Sequence, residues 1–158
     1  YRTVRFSGRL LPGREAATGI VPLGSVLLPA ALAFDRRFFP APRDAFLGRW
    51  LRTPHVALAS VRDGALAGYG VARQCRDGFK IGPLFAESDE DTESLFIALA
   101  AGVGGIVHVD VPETAERFSA FLRQAGFAEG FETARMYRGP ALQVATRVVH
   151  AVTSLELG

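Results

Sequence analysis

The chain has 158 residues and a mass of 17.0 kDa, with 49% hydrophobic residues, 22% charged residues and a formal net charge of +2. That length suits one domain with a core of its own, and the hydrophobic content excludes a disordered chain. The charge gives no case for nucleic acid despite a pI of 9.1, because the arginines are scattered and form no basic stripe.

No apolar run reaches the ~18 to 20 residues that a bilayer span needs, since a charge or a proline interrupts each one. No secretory leader is visible, and the chain begins at Tyr1, so it is expected to be part of something longer. Cys75 is the single cysteine, which leaves no internal disulfide framework and no cysteine zinc site. It reads as an incidental thiol in a cytoplasmic protein. His55 and His150 lack partner spacing for a metal, and His108 reads as a hydrogen-bonded core residue, so no metal is expected.

In chain order, Tyr1 to Arg9 alternates polar and apolar residues and reads as a short strand, followed by a linker from Leu10 to Thr18 around Pro12-Gly13. Ile20 and Val21 make a brief strand. Pro29 sits well in the first turn of a helix that Ala30 to Phe38 continues, until Pro40 and Pro42 forbid more. Arg43 to Leu51 makes a second helix with Phe46, Leu47 and Trp50 on one face. His55 to Arg62 is a strand. Two hairpins follow, closing on Asp63-Gly64 and on Asp77-Gly78, dipeptides that supply the positive φ of a two-residue turn. Their strands, Ala65 to Cys75 and Phe79 to Ala86, are mostly small and apolar, as strands covered on both faces are.

The acidic stretch Glu87 to Glu93 leads into a helix from Thr92 to about Ala101, and Gly105 to Val111 reads as a central strand. Pro112 to Ala125 reads as a helix stopped by Gly126, with Phe127 behind it. Phe131 to Arg138 and Val148 to Leu157 are the last strands. The class is α+β (α/β): a mixed, largely antiparallel sheet flanked by helices on both faces.

That order, closing on Gly126-Phe127, resembles the GNAT superfamily of acetyl-CoA-dependent N-acetyltransferases over roughly Ile20 to Gly158. Three phrases carry a narrower resemblance: Ala30 to Arg43, Gly78-Phe79-Lys80-Ile81-Gly82-Pro83-Leu84, and Phe131-Glu132-Thr133-Ala134-Arg135-Met136-Tyr137. They look like the carboxy-terminal module of proteins with two GNAT domains in tandem. The resemblance implies residues 1–18 as the tail of a preceding module plus linker, and 19–158 as the domain. It also implies acetyl-CoA as co-substrate, a small-molecule amine that attacks the thioester directly, and a preceding module or a second copy as partner.

A GNAT site needs a pyrophosphate cradle, a splayed strand that hydrogen-bonds pantetheine, a proton route for the amine and an acid for the thiolate. At the cradle, the family's glycine-rich turn is replaced by Glu87-Ser88-Asp89-Glu90-Asp91-Thr92-Glu93-Ser94. Those acids favour a helix start but repel a phosphate. A cradle there requires the carboxylates to point outward and the N–H groups of Thr92, Glu93, Ser94 and Leu95 to stay free. On the splayed strand, Gly82 and Pro83 weaken the ladder beside Leu84, Phe85 and Ala86, the residues expected to face pantetheine.

The family's helix tyrosine and asparagine positions hold Leu122 and Ala115, so the phenols left for the acid are Tyr69 and Tyr137, each also readable as a core or rim aromatic. Asp110 or Glu113 could take the amine proton if burial raises its pKa, or could simply favour the following helix. Asp35, Arg36 and Arg43 are candidates for the acceptor roof, with an Asp35–Arg43 salt bridge as the alternative. Arg73, Lys80 and Glu132 should border the same cleft. Three readings stay open: an acyltransferase, a degenerate half that binds substrate or supports a catalytic partner, and a purely structural dimerisation half.

Overall fold

The structure is a computed structural model that describes residues 2–39, 41–136, 138–139 and 146–156. The strands are β1 (Arg2–Gly8), β2 (Ile20–Pro22), β3 (Val56–Arg62), β4 (Ala65–Gln74), β5 (Phe79–Ala86), β6 (Val107–Pro112), β7 (Ala128–Ala134) and β8 (Val149–Ala151). The helices are α1 (Leu28–Asp35), α2 (Asp44–Trp50), α3 (Asp89–Val103) and α4 (Glu116–Gln124). The strands join in one sheet of order β2-β3-β4-β5-β6-β1-β7, with β8 pairing β5 off that path. Only β5 and β6 run parallel among the described ladders. The class is the expected one, a mixed and largely antiparallel sheet between helices.

The sheet separates two cores. On one face α3 and α4 bring Phe96, Phe118 and Leu122 onto Ile81, Val107, Val109 and Val111. On the other, α1 and α2 bring Phe34, Phe38 and Leu47 onto Tyr69, Val71 and Phe85. A register shift between the Gly70–Leu84 and Ala72–Ile81 pairs marks a bulge in β5. Because of it Ile81 and Leu84, three apart in sequence, enter the same core, while Lys80 and Phe85 serve the opposite face.

Several boundaries differ from the expected ones for local reasons. α3 starts at Asp89 rather than Thr92, because Ser88 Oγ accepts the Asp91 N–H at 3.1 Å and caps the helix three residues early. α4 starts at Glu116 rather than Pro112, since β1 holds the preceding residues in the ladder: Thr3 pairs Pro112, and Glu113 N–H donates to Arg2 O at 2.9 Å. α1 ends at Asp35, and Arg37 and Phe38 donate three residues back in a tighter turn. Asp63 and Gly64 both have positive φ, at 49° and 77°, as a two-residue turn requires. At the other hairpin Gly78 has positive φ and Asp77 does not, and Cys75 N–H reaches Gly78 O across a longer loop.

Two placements were not foreseen. β1, in the stretch expected to be a preceding module's tail, lies inside this sheet, antiparallel to β6 on one edge and β7 on the other. Among the described residues the last strand is Val149–Ala151, shorter than the expected Val148 to Leu157, whose final residue lies outside the described ones, and it is deep in the sheet. No helix among the described residues is long and apolar enough to cross a membrane.

Candidate active site

The candidate site is the opening between β5 and β6. These strands pair only over Phe79–Ile81 and Val107–Val109, and beyond Ile81 they part. The cause is local: Gly82 and Pro83 occupy the bulge, and Pro83 has no N–H for a ladder. β8 lies in the opening. It runs antiparallel to β5 with Leu84 opposite Ala151 and Phe85 opposite Val149, and Val152 N–H donates to Asp110 O on β6 at 3.0 Å. Leu84, Phe85 and Ala86 are therefore side by side as expected, but their strand edge is taken by the chain itself. An acetyl-CoA placed there as the resemblance implies does not fit beside β8, since the backbone groups meant for pantetheine already have partners.

One side of the opening is held by a buried carboxylate, Asp35, at the end of α1. Arg43 donates to it from Nε and Nη2 at 2.7 and 2.6 Å, and Tyr69 donates its O–H at 2.6 Å. Arg43 lies over the Phe39 ring and reaches Thr153 Oγ1 at 3.3 Å. This is the salt bridge that the sequence left as the alternative, enlarged by a phenol. Burial, then the charge of Asp35 and its hydrogen bond, raise the Tyr69 hydroxyl well above its ordinary value. With the ring wholly buried and its proton committed to Asp35, Tyr69 is not placed to protonate a thiolate.

The other side is held by Asp110 on β6. Arg5 donates from Nε and Nη2 to its two oxygens at 2.7 and 3.0 Å, and Lys80 from β5 donates to Oδ2. Burial alone raises this carboxyl, but the hydrogen bonds and charges of Arg5 and Lys80 outweigh it and hold the pKa below the ordinary value. The condition set for a base, a carboxyl raised by burial, is thus not met at Asp110. Arg73, opposite Lys80 in the ladder, packs by Trp50 and the Cys75 sulfur; its Nε is buried with no partner among the described residues. Glu156 is a second carboxylate close enough for its charge to act on Arg5, Lys80 and Arg73, so three cations meet two carboxylates in this corner.

The remaining candidates fall elsewhere. Glu113 and Glu132 are surface residues sharing Arg2 at 3.3 Å each, and the backbone and side chain of Arg2 hold Glu113 below its ordinary value. Arg36 pairs with Asp44 on the surface. Tyr137 lies outside the described residues. Leu122 and Ala115 are buried, Leu122 in the α3/α4 core.

The acidic turn is tied by arginines. Glu87 pairs with Arg37, Asp89 with Arg117, and Glu90 and Asp91 with Arg62. Asp91 points inward and also accepts from Ser60 and Ser88, both at 2.6 Å. Burial raises Asp91, while the two serines and Arg62 bring it below its ordinary value. The first-turn donors are not free either, because Ser88 takes the N–H of Asp91 on its side chain and that of Thr92 on its carbonyl. Thr92 and Leu95 are buried, Glu93 is half-buried, and Ser94 Oγ accepts the Ala17 N–H at 3.3 Å.

Three participants were missed: Arg5, Thr153 and His150. Arg5 lies 105 residues from Asp110, beyond any spacing rule. His150 on β8 donates from Nε2 to Ala86 O at 3.2 Å, and burial lowers its pKa. A cleft of about 570 Å³ lined by Leu23, Ser25, Leu28, Leu51, Arg52 and His55 lies apart, and no candidate residue lines it.

Residues 31–151 match the family model of the acetyltransferase (GNAT) domain. Holothin acyltransferase of Pseudoalteromonas sp. (strain SANK 73390) is 32% identical over 162 residues, covering 100% of this chain and 55% of that protein. The uncharacterized N-acetyltransferase YitH of Bacillus subtilis (strain 168) is 28% identical over 101 residues, 64% of this chain and 36% of that one. The chain thus spans about half the length of the first of these relatives and less of the second. Among solved structures, a candidate acetyltransferase from Pyrococcus horikoshii superposes with a TM-score of 0.82 at 21% identity, over 100% of this chain and 52% of that one. A GNAT acetyltransferase from Colwellia psychrerythraea does so with 0.64 at 14%, over 83% and 53%. At such identities the structures speak for the fold alone, whereas the family model spans most of the chain. The chain belongs to the GNAT acetyltransferase family.

Proposed function

We propose that the chain is part of a cytoplasmic N-acyltransferase that takes its acyl group from acetyl-CoA and delivers it to a small-molecule amine. Family membership is the observation that carries this reading. The name of the holothin acyltransferase supports an acyl group as what is moved. In this reading Lys80 and Arg73 border the acceptor; Lys80 is buried against Asp110, and the fork of Arg73 suits an amine that also carries a carboxylate or another anionic group. Asp35 and Arg43 act at a distance from it, by holding the corner between α1 and α2.

The position of β8 favours a second reading of this domain: a non-catalytic half that supports a partner module, either a preceding module of the same protein or another copy. One assay separates the two. Release of the CoA thiol from acetyl-CoA is followed with a panel of amines, using this chain and the longest natural form of the protein. Amine-dependent release by this chain alone establishes it as catalytic. Release by the longer form alone assigns it the supporting role, and release by neither overturns the transferase reading.

A further inference from the structure

Beyond Ile81, the edge of β5 that faces β6 has lost its neighbour, and buried backbone groups left so are costly. The chain meets that need with its own C-terminal segment, which bridges both walls. Ala151 and Val149 pair with Leu84 and Phe85 on β5, the His150 ring donates to Ala86 O, and Val152 N–H donates to Asp110 O on β6.

The seat is shaped for this occupant. His150, Ala151, Val152, Thr153 and Ser154 are all at least nine-tenths buried. A Cβ at Gly82 would run into the carbonyl oxygen of Val152, so the segment crosses β5 backbone against backbone, at a distance only glycine allows. Thr153 is pinned by Arg43, itself held by Asp35. A surface tail resting in a groove has none of these features.

We infer that residues 149–153 are an internal ligand of the acyl-CoA groove, and that acyl-CoA and this segment exclude each other. The inference rests on the GNAT reading of the groove. A pantetheine arm carries two amides, so it offers a strand edge the same N–H and C=O groups that a short peptide does. Both occupants would compete for the backbone of Leu84 and Phe85. Acyl-CoA enters this domain only when the segment leaves, and a domain whose segment stays holds no acyl-CoA.

The test is amide hydrogen exchange over residues 149–154 of this chain, with and without millimolar acetyl-CoA, joined to calorimetric binding. Two variants accompany it. Val152→Pro removes the N–H given to Asp110, and Thr153→Val removes only the Arg43 contact, which guards against a proline variant that fails to fold. The expected result takes one of two forms. Either the native chain binds acetyl-CoA as these amides lose protection, or it does not bind and the folded variants do, with affinity raised at least about tenfold. Acetyl-CoA bound while the amides stay protected overturns the inference. So does a folded variant whose segment exchanges freely and still binds none. These readouts are binding and exchange, so failure of every amine in the thiol-release assay leaves them intact.

Discussion

Two buried carboxylates flank the opening, and they are built differently. Asp35 and Asp110 are each 1% exposed and each grips an arginine with both oxygens. Asp35 meets one cation and one phenol, so its cluster is balanced and closed. Asp110 meets two cations, Arg5 and Lys80, and the charge of Glu156 also acts on both of them and on Arg73, so its cluster is wider and shared. The first is a fastening for a helix corner and the C-terminal segment. The second ties three strands, β1, β5 and β6. A buried ion pair is weak evidence of stability, but losing one partner is costly.

The largest effect is expected where more cations are stranded. Asp110→Asn leaves Arg5 and Lys80 without their counter-ion and should cost about 3 to 5 kcal/mol in urea unfolding. Its sign with pH follows from the depressed carboxyl. The stabilisation by Asp110 is complete above the ordinary value of about 3.9 and is lost as pH falls through the lower folded value. The Asn variant should lack that acid-side loss. Asp35→Asn should fall near the lower end, about 3 kcal/mol, because Tyr69 can still donate to the amide oxygen. Adding Arg43→Met should recover part of it, since no charge is then left unpaired; an additive double variant would refute the view of this cluster as a closed pair.

Tyr69→Phe removes a hydrogen bond to a charged acceptor and should cost about 1.5 to 3 kcal/mol. The raised phenol contributes stability that is full below about pH 10 and lost as pH rises through its folded value, so the Phe variant should flatten the alkaline limb. A smaller effect belongs to His150, which burial keeps neutral. Stability is lost as pH falls from about 6.5 toward its lower folded value, and His150→Gln should remove that slope while still donating to Ala86 O. Arg36→Ala should change stability by less than about 0.5 kcal/mol, for its pair with Asp44 is on the surface. A larger loss would mean that the α1–α2 corner is held from outside as well as from Asp35.

The same contrast separates what could be read along the chain from what could not. Asp35 and Arg43 are eight residues apart across a proline-rich corner, near enough to be weighed as a pair from sequence alone. Asp110 is expected at the end of the central strand and lies within β6, two residues before its end, yet its proposed role as a base depends on a pKa that Arg5 and Lys80 push the other way. Those partners lie 105 and 30 residues distant. Likewise, the acids of Glu87 to Asp91 were read as a helix start hostile to phosphate. Their arginines, Arg37, Arg62 and Arg117, come from three other parts of the chain.

By itself the sequence determined the periodic elements, the class and the family. Alternation, turn glycines and helix caps are local properties, and local backbone preferences act wherever the fold places them. Only the tertiary structure decided which groups share a site. It put β1 between β6 and β7, gave Asp110 a second cation, and laid Val149–Ala151 into the gap beyond Ile81. The physical reason is that a strand's period tells which face a residue takes but not which strand will meet its edge. That choice is made by unpaired backbone groups throughout the molecule, each needing a partner once water is gone.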